Sequence, residues 1–78
     1  MVDAKLIGRV IKQLRESKGV TQEVLSGFAE LDRTHYSKIE RGLRSPTVDT
    51  IFKIANALNM KPHMLMKAIE DEVAKEKQ

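Results

Sequence analysis

The run TQEVLSGFAELDRTHYSKIERG, residues 21–42, starts two helices in quick succession and leaves the second with few apolar anchors. Thr21 offers a side-chain oxygen to the first amides of a short helix over residues 22–29, with Leu25 and Ala29 facing inward. Two or three connecting residues follow, and Asp32 repeats the capping device for a helix over residues 33–41. Gly42 closes that helix, because glycine enters the left-handed region without strain. The polar crowd in LDRTHYSKIERG, residues 31–42, poses the functional question. On a scaffold those side chains are an idle solvated face; in a groove, most of them have a task.

On the N-terminal side, Leu6, Ile7, Val10, Ile11 and Leu14 recur at helical steps from Lys5 to Lys18, with Lys5, Arg9, Lys12, Arg15 and Lys18 filling much of the remainder. This predicts an amphipathic helix ended by Gly19, with Val20 as the hydrophobic contact after the cap. On the C-terminal side Arg44, Ser45 and Pro46 break the chain. Either Ser45, with Pro46 at the first helical position, or Thr47 caps a fourth helix marked by Val48, Ile51, Phe52, Ile54, Ala55 and Leu58. Asn59 ends it, and Lys61-Pro62 opens a fifth helix over about 62–74 that frays through EDEVAKEKQ. No segment alternates with a strand period over a useful length. The expected fold is all-α, a five-helix bundle.

With 78 residues the chain is expected to form one domain, residues 1–78. A domain this short buries only roughly 60 to 65% of the surface its unfolded chain exposes, so the core is simple and local. The 41% hydrophobic and 32% charged content lets it collapse and stay soluble. The absence of cysteine removes disulfides, thiol nucleophiles and thiolate metal sites together. Apolar runs are too short for a signal peptide or a membrane span, so the expected location is cytoplasmic. Residues 1–44 carry nine Lys or Arg against six acids, while residues 45–78 carry five of each. All the excess positive charge lies in the half that holds the quoted run, which favours a polyanionic partner.

TQEVLSGFAELDRTHYSKIERG, followed by SPTVDTIFKIANAL at residues 45–58, resembles the lambda-repressor-like helix-turn-helix domain of the Cro and cI-type (XRE) family of transcriptional regulators. The resemblance covers roughly Leu6 to Met66. The short, stand-alone length and the segment LDRT-x-x-S-x-IERG look most like the controller proteins of restriction–modification systems. It implies double-stranded DNA as partner, with helix 33–41 in the major groove and the preceding helix across the backbone. Arg33, Thr34 and Ser37 or Lys38 lie on one face. Arg33 can fork onto the O6 and N7 of guanine, Thr34 can meet a thymine methyl, and Lys38 can reach a guanine or a phosphate. His35 stands where the subtype often has Tyr and is expected at a base or a phosphate, whereas Tyr36 stands where an aliphatic core residue is usual.

The same resemblance matches Gln22 to the family's phosphate-binding glutamine and makes Thr21, Arg41, Arg44 and Ser45 flanking phosphate clamps. It matches Arg15 and Glu40 to an ion pair between the first and third helices, holding the recognition helix at its angle. Two residues depart from the pattern. Glu30 occupies the turn position where glycine is common, and Gly27 sits inside the second helix where a helix former is usual.

Judged by helix position alone, Arg33, Thr34 and Lys38 are an ordinary solvated face, and Arg41 and Arg44 are surface charges near a helix end. Register with TQ-x-x-L and IERG sets them apart. His35 and His63 have no acid or hydroxyl pattern around them, and no glycine-rich phosphate loop occurs. The expectation is no metal, no cofactor, no small-molecule ligand and no enzyme activity. Asp3, Glu70, Asp71 and Glu72 read as solvated acids.

Met60, Met64, Leu65, Met66, Ile69 and Val73 give the fifth helix more apolar surface than so small a core needs, and Met64 and Met66 cannot both face inward. These side chains are either core packing with some exposed Met or a homodimer interface, which the resemblance also implies and to which Phe52, Met64, Leu65, Met66 and Ile69 are assigned. Two recognition helices about 34 Å apart would read an inverted repeat. The function expected is a homodimeric, sequence-specific transcriptional regulator. The alternative is the antitoxin half of a toxin–antitoxin pair, for which the apolar fifth helix and the tail, residues 70–78, leave room.

Overall fold

Asp3 begins the fold, its carboxylate accepting from the Leu6 amide at 2.8 Å and so capping α1, Ala4–Ser17. This computed structural model describes residues 2–76. The expectation that Asp3 is merely solvated is thereby corrected, since it satisfies an amide that the first turn of a helix leaves open. Thr21 accepts from Val24 at 3.1 Å and starts α2, Gln22–Phe28, while Asp32 accepts from His35 at 3.1 Å and starts α3, Arg33–Glu40. Of the two positions able to cap α4, Val48–Ala57, Thr47 does so, accepting from Thr50 at 3.1 Å. α5 spans Pro62–Glu76 and opens on the proline, whose missing N–H costs a first turn nothing.

Each of the first four helices is followed by a residue in the left-handed region: Gly19 (φ 72), Glu30 (φ 57), Gly42 (φ 78) and Asn59 (φ 59). Amides then fold back onto the preceding helix, as Leu31 does to the Ser26 carbonyl at 2.9 Å and Met60 to that of Ala55 at 2.8 Å. Glu30 keeps this geometry although it is not glycine, at a cost of about 1 to 2 kcal/mol. Val20, Leu31 and Met60 follow their left-handed residues and pack on the core.

The core joins Leu6, Val10 and Ile11 of α1, Leu25 of α2, Tyr36 and Ile39 of α3, Ile51, Ile54, Ala55 and Leu58 around α4, and Leu65 and Ile69 of α5. α1 lies against α3 and α5, and α2 against α3 and α4. The approach of α1 to α3 depends on Gly8, which carries no side chain into the gap. A Cβ there would lie 2.3 Å from the Ile39 carbonyl oxygen and 2.5 Å from that of Glu40. Gly27 is the opposite case, because a Cβ on it meets open space.

Three further expectations change. Leu65 and Ile69, assigned to a dimer interface, are 0% and 2% exposed, because the inner face of α5 uses them to close this chain's own core. Val48, one of the apolar residues that mark the fourth helix, is 76% exposed rather than in the core, beside Phe52 of the expected interface at 55%. Asp71 and Glu72 are paired on the surface, Asp71 with Lys67 at 3.0 Å and Glu72 with Lys75 at 3.6 Å and Arg9 at 3.9 Å. Arg9 also binds Glu76, which ties the last residue of α5 to α1.

Candidate nucleic-acid interface

α3 is divided lengthwise. Tyr36, Ile39 and Glu40 are buried, Arg33, Thr34 and His35 are exposed, and Ser37 and Lys38 lie between. At about 100° per residue, Thr34 and Lys38 point away from the buried stripe, Ser37 and His35 flank them, and Arg33 opens the first turn at the edge next to Ser37. The Asp32 carboxylate holds the His35 amide at the start of this face. Arg41, Arg44 and Ser45 follow directly after α3 and are exposed.

The inner side of α3 is polar at one point only, and that point is saturated with hydrogen bonds. Arg15 donates from Nε to Glu40 Oε2 at 2.6 Å and from Nη2 to Oε1 at 3.2 Å, the fork geometry that suits a guanidinium and a carboxylate. A third Arg15 nitrogen donates to the Val20 carbonyl at 2.8 Å. Gln22 Nε2 donates to Glu40 Oε1 at 2.9 Å, and the Tyr36 hydroxyl donates to Oε2. No buried side-chain nitrogen or oxygen among the described residues lacks a partner. The expected Arg15–Glu40 pair is present. The expectation missed the two donors that Gln22 and Tyr36 add, since only folding brings them to the carboxylate.

Burial by itself would raise the Glu40 carboxyl, but bonds from Arg15, Tyr36 and Gln22 outweigh it and hold the group below the ordinary carboxylate range. The Glu40 bond raises Arg15 in return, against the opposing effect of burial. Burial pushes the Tyr36 hydroxyl up, and its bond to the negative Glu40 pushes it further.

Charge on the outer side is left open. Among the described residues Arg33, Lys38, Arg41 and Arg44 form no salt bridge, whereas Arg9, Lys53, Lys67 and Lys75 all do. Thr21 uses an oxygen lone pair in its cap and keeps its O–H to donate. Gln22 keeps its second side-chain N–H. The arrangement offers donors and unpaired cations around one protruding helix, a surface suited to a polyanion with grooves.

A second exposed surface lies between α4 and α5, where Val48, Ile51, Phe52, Pro62, His63 and Met66 line an apolar groove. Met64 is also exposed, but two residues before Met66 it lies on nearly the opposite side of α5 and does not line the groove. Val48, absent from the expected interface, belongs to this groove; its place directly after the Thr47 cap was the available signal. Among the described residues no three His, Cys, Asp or Glu side chains gather as for a metal ion, and no helix is long and apolar enough to cross a membrane.

The helix-turn-helix family profile matches residues 11–65. Control protein C.BamHI of Bacillus amyloliquefaciens is 42% identical over 62 residues, which cover 78% of this chain and 76% of that one. The restriction–modification controller protein C.AhdI of Aeromonas hydrophila is 35% identical with a TM-score of 0.76, over 80% of this chain and 94% of that one. A chain from the structure of the C.Esp1396I controller protein tetramer in complex with its natural 35 base-pair operator superposes with a TM-score of 0.84 at 32% identity, covering 91% of this chain and 93% of that one. The chain therefore belongs to the XRE-type helix-turn-helix family of transcription regulators.

Proposed function

We propose that this protein is a sequence-specific transcriptional regulator of the restriction–modification controller kind, binding an inverted-repeat operator as a homodimer. The observation that carries the reading is the split of α3, with Tyr36, Ile39 and Glu40 locked inside while Arg33, Thr34, His35, Ser37 and Lys38 remain available to base edges. Arg33 supplies the bidentate fork that selects guanine, and Thr34 and Lys38 read the adjoining positions. Thr21, Gln22, Arg41, Arg44 and Ser45 hold phosphates on either side and set the register without carrying sequence information. Regulation follows from where the operator lies relative to a promoter, and the function calls for no enzyme activity and no cofactor.

One such helix reads only a few base pairs, so specificity calls for two. The groove containing Val48, Phe52 and Met66 is the surface through which two copies would meet. Selection of bound duplexes from a randomised pool is the deciding experiment. The expected winner is an inverted repeat bound about a thousandfold or more tighter than competitor DNA, with affinity falling steeply as salt rises. An Arg33→Ala, Lys38→Ala double variant should lose that preference while remaining folded. Weak, sequence-blind binding by the unaltered protein would sink the reading, and a co-purifying toxic partner in its place would favour an antitoxin.

A further inference from the structure

We infer that Tyr36 is a positioning residue for DNA binding, acting through Glu40 on the side chain of Gln22; this rests on the reading of Gln22 as a phosphate contact. A carboxylate offers about four lone-pair sites. In Glu40 all are taken: Oε2 by Arg15 Nε and the Tyr36 hydroxyl, Oε1 by Arg15 Nη2 and Gln22 Nε2. The donors come from α1, α2 and α3, so any rotation of the carboxylate breaks a bond to one of three helices.

The four bonds are not equally robust. Arg15 is anchored a second time at the Val20 carbonyl, 2.8 Å away, and the Tyr36 ring is fully enclosed by the core. Gln22 is half-buried and bonded by its side chain at this point alone among the described residues. Removing the Tyr36 hydroxyl leaves a buried lone pair on Oε2 unpaired, and the carboxylate then turns to regain a donor. The bond most easily lost in that turn is the one to Gln22. Tyr36 is fully enclosed, so its influence on binding runs through Glu40, and the Gln22→Ala background below separates the part carried by Gln22 from a shift of α3.

Tyr36→Phe keeps the ring and removes only the donor. Titrated against the selected operator at a temperature where circular dichroism shows it folded, it should bind about three- to tenfold more weakly, the equivalent of one hydrogen bond. In a Gln22→Ala background the same change should have no further effect, because the two residues act in series. Unaltered affinity in the folded single variant overturns the proposal, and so does an equal loss in both backgrounds. The chain has one tyrosine, so uniform 3-fluorotyrosine labelling alters this hydroxyl alone and serves if Tyr36→Phe does not fold. The side-chain amide NMR signal of Gln22 should shift with the fluorine, and a fixed signal overturns the proposal. If no duplex is bound at all, the phosphate role of Gln22 fails, while that amide signal still judges whether Tyr36 positions it.

Discussion

The seam between α1 and α3 and the groove between α4 and α5 invert the usual distribution of polarity. The seam buries an arginine, a glutamate and a tyrosine hydroxyl, all satisfied, whereas the groove leaves valine, phenylalanine and methionine in solvent. Neither is the cheapest way to make a stable monomer. Buried charge is weak at adding stability but strict about geometry, since four directional bonds tolerate one mutual placement of the helices. Exposed apolar surface adds nothing to the single chain and gains its value only when covered. The first therefore fixes how α3 sits against α1 and α2, and on the proposed reading the second is the surface that a second copy would cover.

The largest effect should come from breaking the seam at its ion pair. Arg15→Ala leaves the Glu40 carboxylate buried without its cation and should cost about 3 to 5 kcal/mol in a urea titration; a loss under 1 kcal/mol would mean the seam is wetter than its geometry implies. Next is Gly8→Ala. A methyl group would press on two carbonyls of α3, so a cost of about 1 to 3 kcal/mol is expected although alanine favours helices, and an unchanged midpoint would show that the helices can separate freely.

A smaller effect should appear with pH, and its sign follows from the direction of each shift. Glu40 is held lower in the folded chain, so its contribution is present above the ordinary carboxylate value of about 4.3 and is lost as pH falls through the folded value. Tyr36 is raised, so its contribution is full below about pH 10 and declines as pH rises through the folded value. Stability should hold from about pH 5 to 9 and fall on both sides, with the alkaline fall reduced in Tyr36→Phe. The groove should respond least. Phe52→Ser should change the stability of the isolated chain by no more than about 0.5 kcal/mol yet reduce self-association in sedimentation, and a large loss of stability would place Phe52 in the core after all.

Helix limits were readable because their causes are local. Thr21, Asp32, Gly19, Gly42 and Asn59 each act within a turn of their own position, and each performs as expected. Thr47 and Ser45 were not separable from sequence, since both carry the hydroxyl that a cap requires. α5 was misjudged for a different reason: Met64, Leu65 and Met66 place apolar side chains on several sides of one helix, and only the packed neighbours decide that Leu65 is inside. Gly8 left the faintest trace, because what matters is the side chain it lacks. On the outer side of α3 the candidate residues were legible from spacing and resemblance, as was the Arg15–Glu40 pair, while the bonds that Gln22 and Tyr36 add to Glu40 emerge only with the fold.

The left-handed residues after α1, α2, α3 and α4 also bear on kinetics. Each turns the chain back within a few residues, which lets α2 meet α3 and α4 meet α5 without closing a long loop, while α1 must still reach α3 and α5. Small helical domains fold in about microseconds to milliseconds. A slower phase in refolding that quickens with protein concentration would thus report two copies meeting, after each had already acquired its shape.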